Sequence, residues 1–556
     1  MKKEIKEHIG IKHLKKAVAD GKISRRQFLR DTTLLGLSAT AAYTFLGMAP
    51  QVARAANIPK GGMIRIGAAV QPLDRPHNYE WTQPELTINT IEYLTKTGTD
   101  NVTRGWLAES WEASEDLRTW TFHIRKDVTW RNGRAFTADD AIWNLRHILD
   151  PKTGASGVGV FKPYMLETYE TDEKDDEGNF KKSYRLWDAN AIEKLDDHTI
   201  RLNARIPQLA VPEHFFSWPV QMIDPDEGGE FGVGSNGTGA YELVEYAGRE
   251  KAVFKAARPH WSGVGPYADT LVFVDLEDDR EAYFGALASG QIDMVREVQI
   301  EAVDRIKNHP DLVFKATPSG QTGVARMRTT SKPFDDARVR RAMRLAIDTN
   351  KVAEIGYYGV GVAAEHHHVC EVHPEYAKLP FMTQDIPEAK RLLTDAGYPN
   401  GIEVQFDIMN VGYHVTMAQV MKEMWAKAGI NVNLNVMPSS QYWGIWKTTP
   451  FGYTTWTMRP LGVQVLGLAY RSDVPWNESA YSNKEFDELL DKAESTFDVE
   501  ERRAVMSKLE QILQEDGPIV QPFWRPGMVA HHKRVKGFSA HPAARTFASE
   551  IGIEDG

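Results

Sequence analysis

Four apolar positions in alternation, Ile402, Val404, Phe406 and Ile408, precede Met417, Val420, Met421 and Met424 at helical spacing; a second alternation follows at Ile430, Val432, Leu434 and Val436. A period of two puts side chains on opposite faces of a strand, and a period near 3.6 gathers them on one face of a helix. The segment therefore predicts strand–helix–strand, the unit from which α/β sheets are built. Comparable patterns recur along the chain. Trp120, Phe122 and Ile124 alternate before the turn R-N-G-R, and Thr137 with Asp140 forms a capping-box start for a helix carrying Ile142, Leu145 and Leu149. Val339, Ala342, Met343, Ala346 and Ile347 follow helical spacing behind Asp335 and Asp336, which can cap the helix start. Further helices are predicted over 281–289, behind Pro387, around Phe486–Ala493 and from Asp498 to Gly517-Pro518. Short strands are predicted near 62–70, 198–202, 237–246, 271–274 and 518–524, and residues 151–190 read as a polar surface excursion.

Residues 1–55 stand apart. The twin arginines Arg25 and Arg26 lie between a lysine-rich start and an uncharged stretch from Thr32 to Met48, and small residues Ala53 and Ala55 follow. This is the layout of a cleaved export leader of the twin-arginine type, which carries substrates already folded across a bacterial inner membrane to the periplasm. The stretch of roughly 17 residues, broken by Gly36 and Gly47, is short for spanning a bilayer. With no cysteine in the leader to carry a lipid, a freely soluble periplasmic protein is expected.

The remaining chain of about 500 residues exceeds what one core supports, so at least two lobes are expected. The leader holds more Lys and Arg than Asp and Glu, so the body is more acidic than the −10 of the whole chain. That field excludes nucleic acid and anionic lipid as partners. Cys370 is alone, so packing rather than an intrachain disulfide must stabilise the fold.

Several motifs occur together. L-A-E-S-W-E-A-S-E-D-L-R-T-W-T-F-H-I-R-K-D-V-T-W-R-N-G at 107–133 precedes F-T-A-D-D at 136–140. G-T-G-A-Y at 237–241, A-L-A-S-G-Q-I-D at 286–293, P-F-D-D-A-R-V-R-R-A-M-R-L-A-I-D at 333–348 and L-L-T-D-A-G-Y-P at 392–399 follow in order. In this combination the chain resembles the family 5 extracellular solute-binding proteins of ABC transporters, the peptide, nickel and opine group. The resemblance implies a bilobal α/β clamp of the type II periplasmic-binding-protein fold, with an extra subdomain inserted in the first lobe. It implies lobe I over 56–95, 236–325 and 510–556, the insertion over 96–235 and lobe II over 326–509. It also implies no catalysis, no cofactor, a monomer, a small-molecule or short-peptide ligand, and delivery to a membrane permease.

The aromatic-rich segment 441–476 falls where the resemblance places the second-lobe binding wall. Tyr442, Trp443, Trp456, Tyr470 and Trp476 offer apolar faces with polar handles, which suit a ligand cleft. Arg459, its backbone restricted by Pro460, presents a planar fork for carboxylate or phosphate. Peptide-binding members usually offer an aspartate at this wall, so arginine here favours a ligand with an exposed acid group; Asp473 and Asn477 are the nearby polar candidates. Tyr79 and Trp81 lie in the loop after the first strand, where the first lobe of such clamps meets its ligand. His366, His367, His368, Cys370 and His373 form a donor-rich loop, with His366 the candidate ligand contact; ligand affinity would then change near pH 6.5. The spacing lacks the paired geometry of a tetrahedral metal site, which leaves a metal or haem carrier, or an exported cofactor-bearing enzyme, as the alternative. G-V-G-S-N-G at 232–237 matches the dinucleotide fingerprint by letter but precedes a strand, not a helix.

Overall fold

The computed structural model describes residues 9–35, 42–43, 45–46, 58–79, 82–174, 178, 180–276 and 280–554. The chain divides into two compact units: Met1–Glu297, Ile306–Lys315 and Val529–Gly556 form the first, and Val298–Arg305 with Ala316–Met528 the second.

In the first unit, strand Met63–Gly67 buries Ile64 and Ile66 and runs parallel to Thr270–Val274 on one side and to Met294–Val295 on the other. Tyr241–Ala247 and Lys251–Ala256 extend the first side antiparallel. The turn G-T-G-A-Y is glycine-rich because backbone passes against it: a Cβ at Gly237 would lie 2.1 Å from Thr90 O, and one at Gly239 would lie 2.3 Å from Asn89 O. Side chains are sterically excluded at both positions.

A separate four-stranded antiparallel sheet is ordered Ala108–Ala113, Thr119–Ile124, Thr199–Asn203, Ile192–Asp196. Trp120, Phe122 and Ile124 are its buried alternate positions. Helix Ala138–Leu149 starts at the Thr137/Asp140 capping box. The polar excursion contains a two-stranded hairpin, Leu166–Lys174 with Phe180–Leu186. Within residues 1–55 the described part forms helices Ile9–Ala19 and Arg25–Leu34. Phe28 is buried and Arg30 Nε donates to Asn101 O at 3.2 Å, because an amphipathic helix must cover its apolar face.

The second unit contains the expected strand–helix–strand. Ile402–Met409 and Ile430–Met437 pair in parallel, and Tyr413–Lys427 crosses between them. Phe451–Trp456 joins Ile402–Met409 in parallel and lies antiparallel to Thr322–Met327. The arginines of the 333–348 motif have a structural purpose. From helix Ala337–Leu345, Arg344 donates to Gln514 O and Glu515 O and bonds Gly517 O, while Arg340 Nε donates to Asp516 O. They satisfy the open carbonyls at the end of helix Val499–Glu515.

That helix corrects the boundary expected at 510. Leu509 and Leu513 are buried, the helix packs against Lys484–Ser495, and the chain changes units only at Val529, inside strand Phe523–His532. The boundary expected at 325 likewise falls inside strand Leu312–Met327, where the change comes at Ala316. Long strands that run through both units hide these transitions from composition and turn signals. Among the described residues no helix is long and apolar enough to cross a membrane.

Candidate functional site

Strand Phe451–Trp456 ends in the indole of Trp456, whose Nε1 donates to Glu478 Oε1 at 2.9 Å. Glu478 is buried, and Arg326 Nε lies 3.3 Å from its second oxygen, close enough for an ion pair but off the direction of a hydrogen bond. Arg326 is itself fully buried and donates to Thr449 O at 2.7 Å, also bonding Trp446 O. Burial raises the Glu478 carboxyl above its ordinary range despite Arg326, Thr454 and the indole donor.

The chain then turns through 457–461 into helix Gly462–Ala469. Arg459 is half-buried; it donates to Thr457 Oγ1 at 2.7 Å, and its guanidinium lies 5.9 Å from the ring centre of Trp476. Trp476 meets Trp456 edge-on at 6.2 Å. A cation over an indole, beside a second indole fixed from below, is suited to a ligand with an acidic end and a flat or apolar body.

The histidine loop backs this wall. Its histidines are buried, and His366 and His368 have left-handed backbones with φ of 64° and 60°. His366 Nδ1 accepts from Gln521 N, His368 Nδ1 pairs with Tyr470 Oη at 2.8 Å, and His373 Nε2 lies 3.1 Å from Arg459 O. Burial, reinforced by neighbouring cations and imidazoles, lowers His366 and His368 to about 3. They stay neutral near pH 6.5, which corrects the expectation that their titration there would change affinity. Burial pushes the Cys370 thiol up to about 12, so it stays protonated. Among the described residues no three His, Cys, Asp or Glu side chains are grouped so as to hold a metal ion.

The structure brings Trp456, Arg459, Tyr470, Trp476 and His368 together, with His366 one step behind. Tyr442 is buried with its hydroxyl on Thr454 Oγ1 at 3.0 Å, beneath Trp443, which is exposed. Asp473 is exposed at φ 58°. Asn477 braces its own turn, donating to Arg471 O and Tyr481 O and accepting from Tyr481 N and Ser479 Oγ. In the first unit Tyr79 is a core residue whose hydroxyl proton goes to Leu73 O at 2.6 Å. Trp81 lies outside the described residues. Sequence reasoning missed Glu478, Arg326 and the support given by His373; a buried glutamate in W-N-E-S carries no periodic signal.

A model of the bacterial extracellular solute-binding proteins, family 5, in its middle portion, matches residues 103–466. The chain belongs to this family. As a family 5 protein it is similar to the heme-binding protein A of Haemophilus influenzae, with 26% identity over 478 residues that cover 78% of this chain and 81% of that one. Its fold is that of solved periplasmic binding proteins of the bilobal α/β type. DppA from Helicobacter pylori in complex with peptide STSA matches with a TM-score of 0.76 at 20% identity, covering 89% of this chain and 99% of that one. AgaA from A. tumefaciens R10 in complex with agropinic acid matches with 0.76 at 21% identity, covering 89% and 99%. The proteins it is similar to carry names that span a peptide, heme and an acid, so ligand class must be argued from this chain's own residues.

Proposed function

We propose that this chain is the periplasmic substrate-binding component of an ABC importer, and that it captures a small acidic, amino-acid-derived or peptide-like solute without transforming it. Arg459 carries this reading. It follows Trp456 on the wall segment, its guanidinium sits against Trp476, and the buried His368 ring, which feels its charge, is held in its neutral form. A guanidinium backed by neutral groups attracts an anionic ligand end more strongly than one facing ionised carboxylates. The leader directs export of the folded chain by the twin-arginine translocase and is cleaved, and the body acts as a monomer. The ligand shifts the chain towards the conformation that the permease recognises, by as much as its affinity for the two conformations differs.

Calorimetric titration with agropinic acid and with the peptide Ser-Thr-Ser-Ala tests the ligand class. The acid should bind at least tenfold more tightly, and Arg459→Ala should abolish that preference. Equal affinities, or a preference for the peptide that survives the substitution, would reject an acid-binding role for Arg459.

A further inference from the structure

We propose that His373 and Glu375 are positioning residues for the wall: they clamp the backbone of 459–463 and so fix where Arg459 presents its guanidinium. This rests on the acid-binding reading of Arg459 above. His373 Nδ1 accepts from Cys370 N at 3.1 Å, so the ring proton sits on Nε2 and is donated to Arg459 O at 3.1 Å. The tautomer is thus set by one backbone amide and read by another backbone carbonyl. Two residues after His373, Glu375 Oε1 accepts at 3.1 Å from the N–H of Val463, four residues after Arg459 at the first turn of helix Gly462–Ala469. One side chain holds the segment at its arginine and the other at the helix start.

The clamp is rigid for stated reasons. His373 and Glu375 are buried, and a Cβ at Gly320 would come within 3.1 Å of the His373 ring and 3.3 Å of Cys370 Sγ, so the strand beneath is shaved to glycine to admit them. Left-handed backbone at His366 and His368 is strain that the surrounding bonds must sustain. Gln521 supplies part of that support, with its N–H on His366 Nδ1 and its Oε1 accepting from His368 N. Such strain belongs with a loop built for geometry, since a plain connecting loop would relax. Glu375 Oε2 and the outer nitrogens of His366 and His368 have no hydrogen-bond partner in the protein, so these side chains are not there to satisfy one another.

Four variants of the full chain, His373→Leu, His373→Gln, Arg459→Ala and the double variant His373→Leu with Arg459→Ala, are titrated with agropinic acid and with its methyl ester. Glutamine keeps a donor where Nε2 stands. Leucine should weaken the acid at least tenfold and the ester less than twofold, glutamine should restore the acid to within threefold, and leucine should add less than twofold once Arg459 is gone. Equal loss for both probes, failure of glutamine to restore, or effects that multiply in the double variant would overturn the positioning role. If the native chain binds acid and ester alike, the acid-binding reading fails instead. Amide exchange over 459–466 then decides the clamp: at unchanged global stability it should quicken at least tenfold in His373→Leu and recover in His373→Gln, and unchanged exchange would overturn it.

Discussion

Two buried glutamates, one in each unit, receive an indole N–H and are shifted in opposite directions from the ordinary carboxylate value. In the first unit Glu92 accepts from Trp106 Nε1 at 2.6 Å and His260 Nε2 at 2.9 Å on one oxygen, and from Trp261 Nε1 at 2.9 Å on the other. Burial alone would raise this carboxyl, but His260 and the two indoles outweigh it and hold it below its ordinary value. In the second unit Glu478 has one indole, the Thr454 hydroxyl and an arginine in poor alignment, burial prevails, and the carboxyl is raised. The number and direction of donors decides which way a buried acid titrates. Glu92 is a fastening whose bonds are complete; Ser262 Oγ, 2.6 Å from His260 Nδ1, continues the chain of bonds but braces its own turn, since Ser262 N donates to the same nitrogen. Behind the wall of the second unit, polar atoms of Glu478, His366, His368, Glu375 and Glu510 are left without protein hydrogen bonds. Folding tolerates such a cost where function requires it.

The largest expected effect follows from that contrast. Glu92→Leu strands three donors, on buried His260 and half-buried Trp106 and Trp261, and should cost about 3–5 kcal/mol in urea unfolding, whereas Glu478→Gln, at a carboxyl already pushed towards its protonated form, should cost less than about 1 kcal/mol. Similar losses at the two sites would erase the distinction.

Acid sharpens it further. Burial lowers His77, His214, His366, His368 and His541 to about 3, against an ordinary 6.5. The unfolded chain takes up these protons below pH 6.5 and the folded chain does not until about pH 3. Stability is therefore full above pH 6.5 and is lost as pH falls towards 3, by up to about 1.4 kcal/mol per pH unit for each histidine. His366→Gln and His368→Gln should each flatten the slope of thermal midpoint against pH between 4 and 6; an unchanged slope would place these rings in water.

At Arg459 the effect moves from stability to binding. Arg459→Ala should weaken an acidic ligand at least tenfold in calorimetry while changing unfolding free energy by about 1 kcal/mol or less. The smallest effect belongs to Trp443, exposed on the outer side of Tyr442. Trp443→Ala should alter stability by no more than about 0.5 kcal/mol and leave affinity unchanged; a tenfold loss of affinity would make it a wall residue.

Much of the fold is legible in the sequence because periodicity and caps are local. The alternation at 402–408, the helix at 413–427 and the caps at Thr137, Asp336 and Asp498 all appear where the pattern puts them. The changes of unit at 316 and 529 are not legible, because they occur within strands. At the site, residue type predicts chemistry but not orientation. Arg459 and Trp456 each meet Trp476, whereas Tyr79 and Asn477, equally attractive by type, donate their hydrogen bonds to neighbouring backbone. The histidine loop is conspicuous by composition. Its role as backing depends on contacts with Tyr470, Arg459 and Gln521, which lie about 90 to 155 residues away and leave no local trace.

Native mass spectrometry of the protein taken from the periplasm, compared with Arg459→Ala prepared identically, tests the central claim most directly. The account predicts a noncovalent small molecule bearing a carboxylate or phosphate, recovered chemically unchanged from the native chain and missing from the variant. A guest without an acid group, retained equally by both proteins, would contradict it.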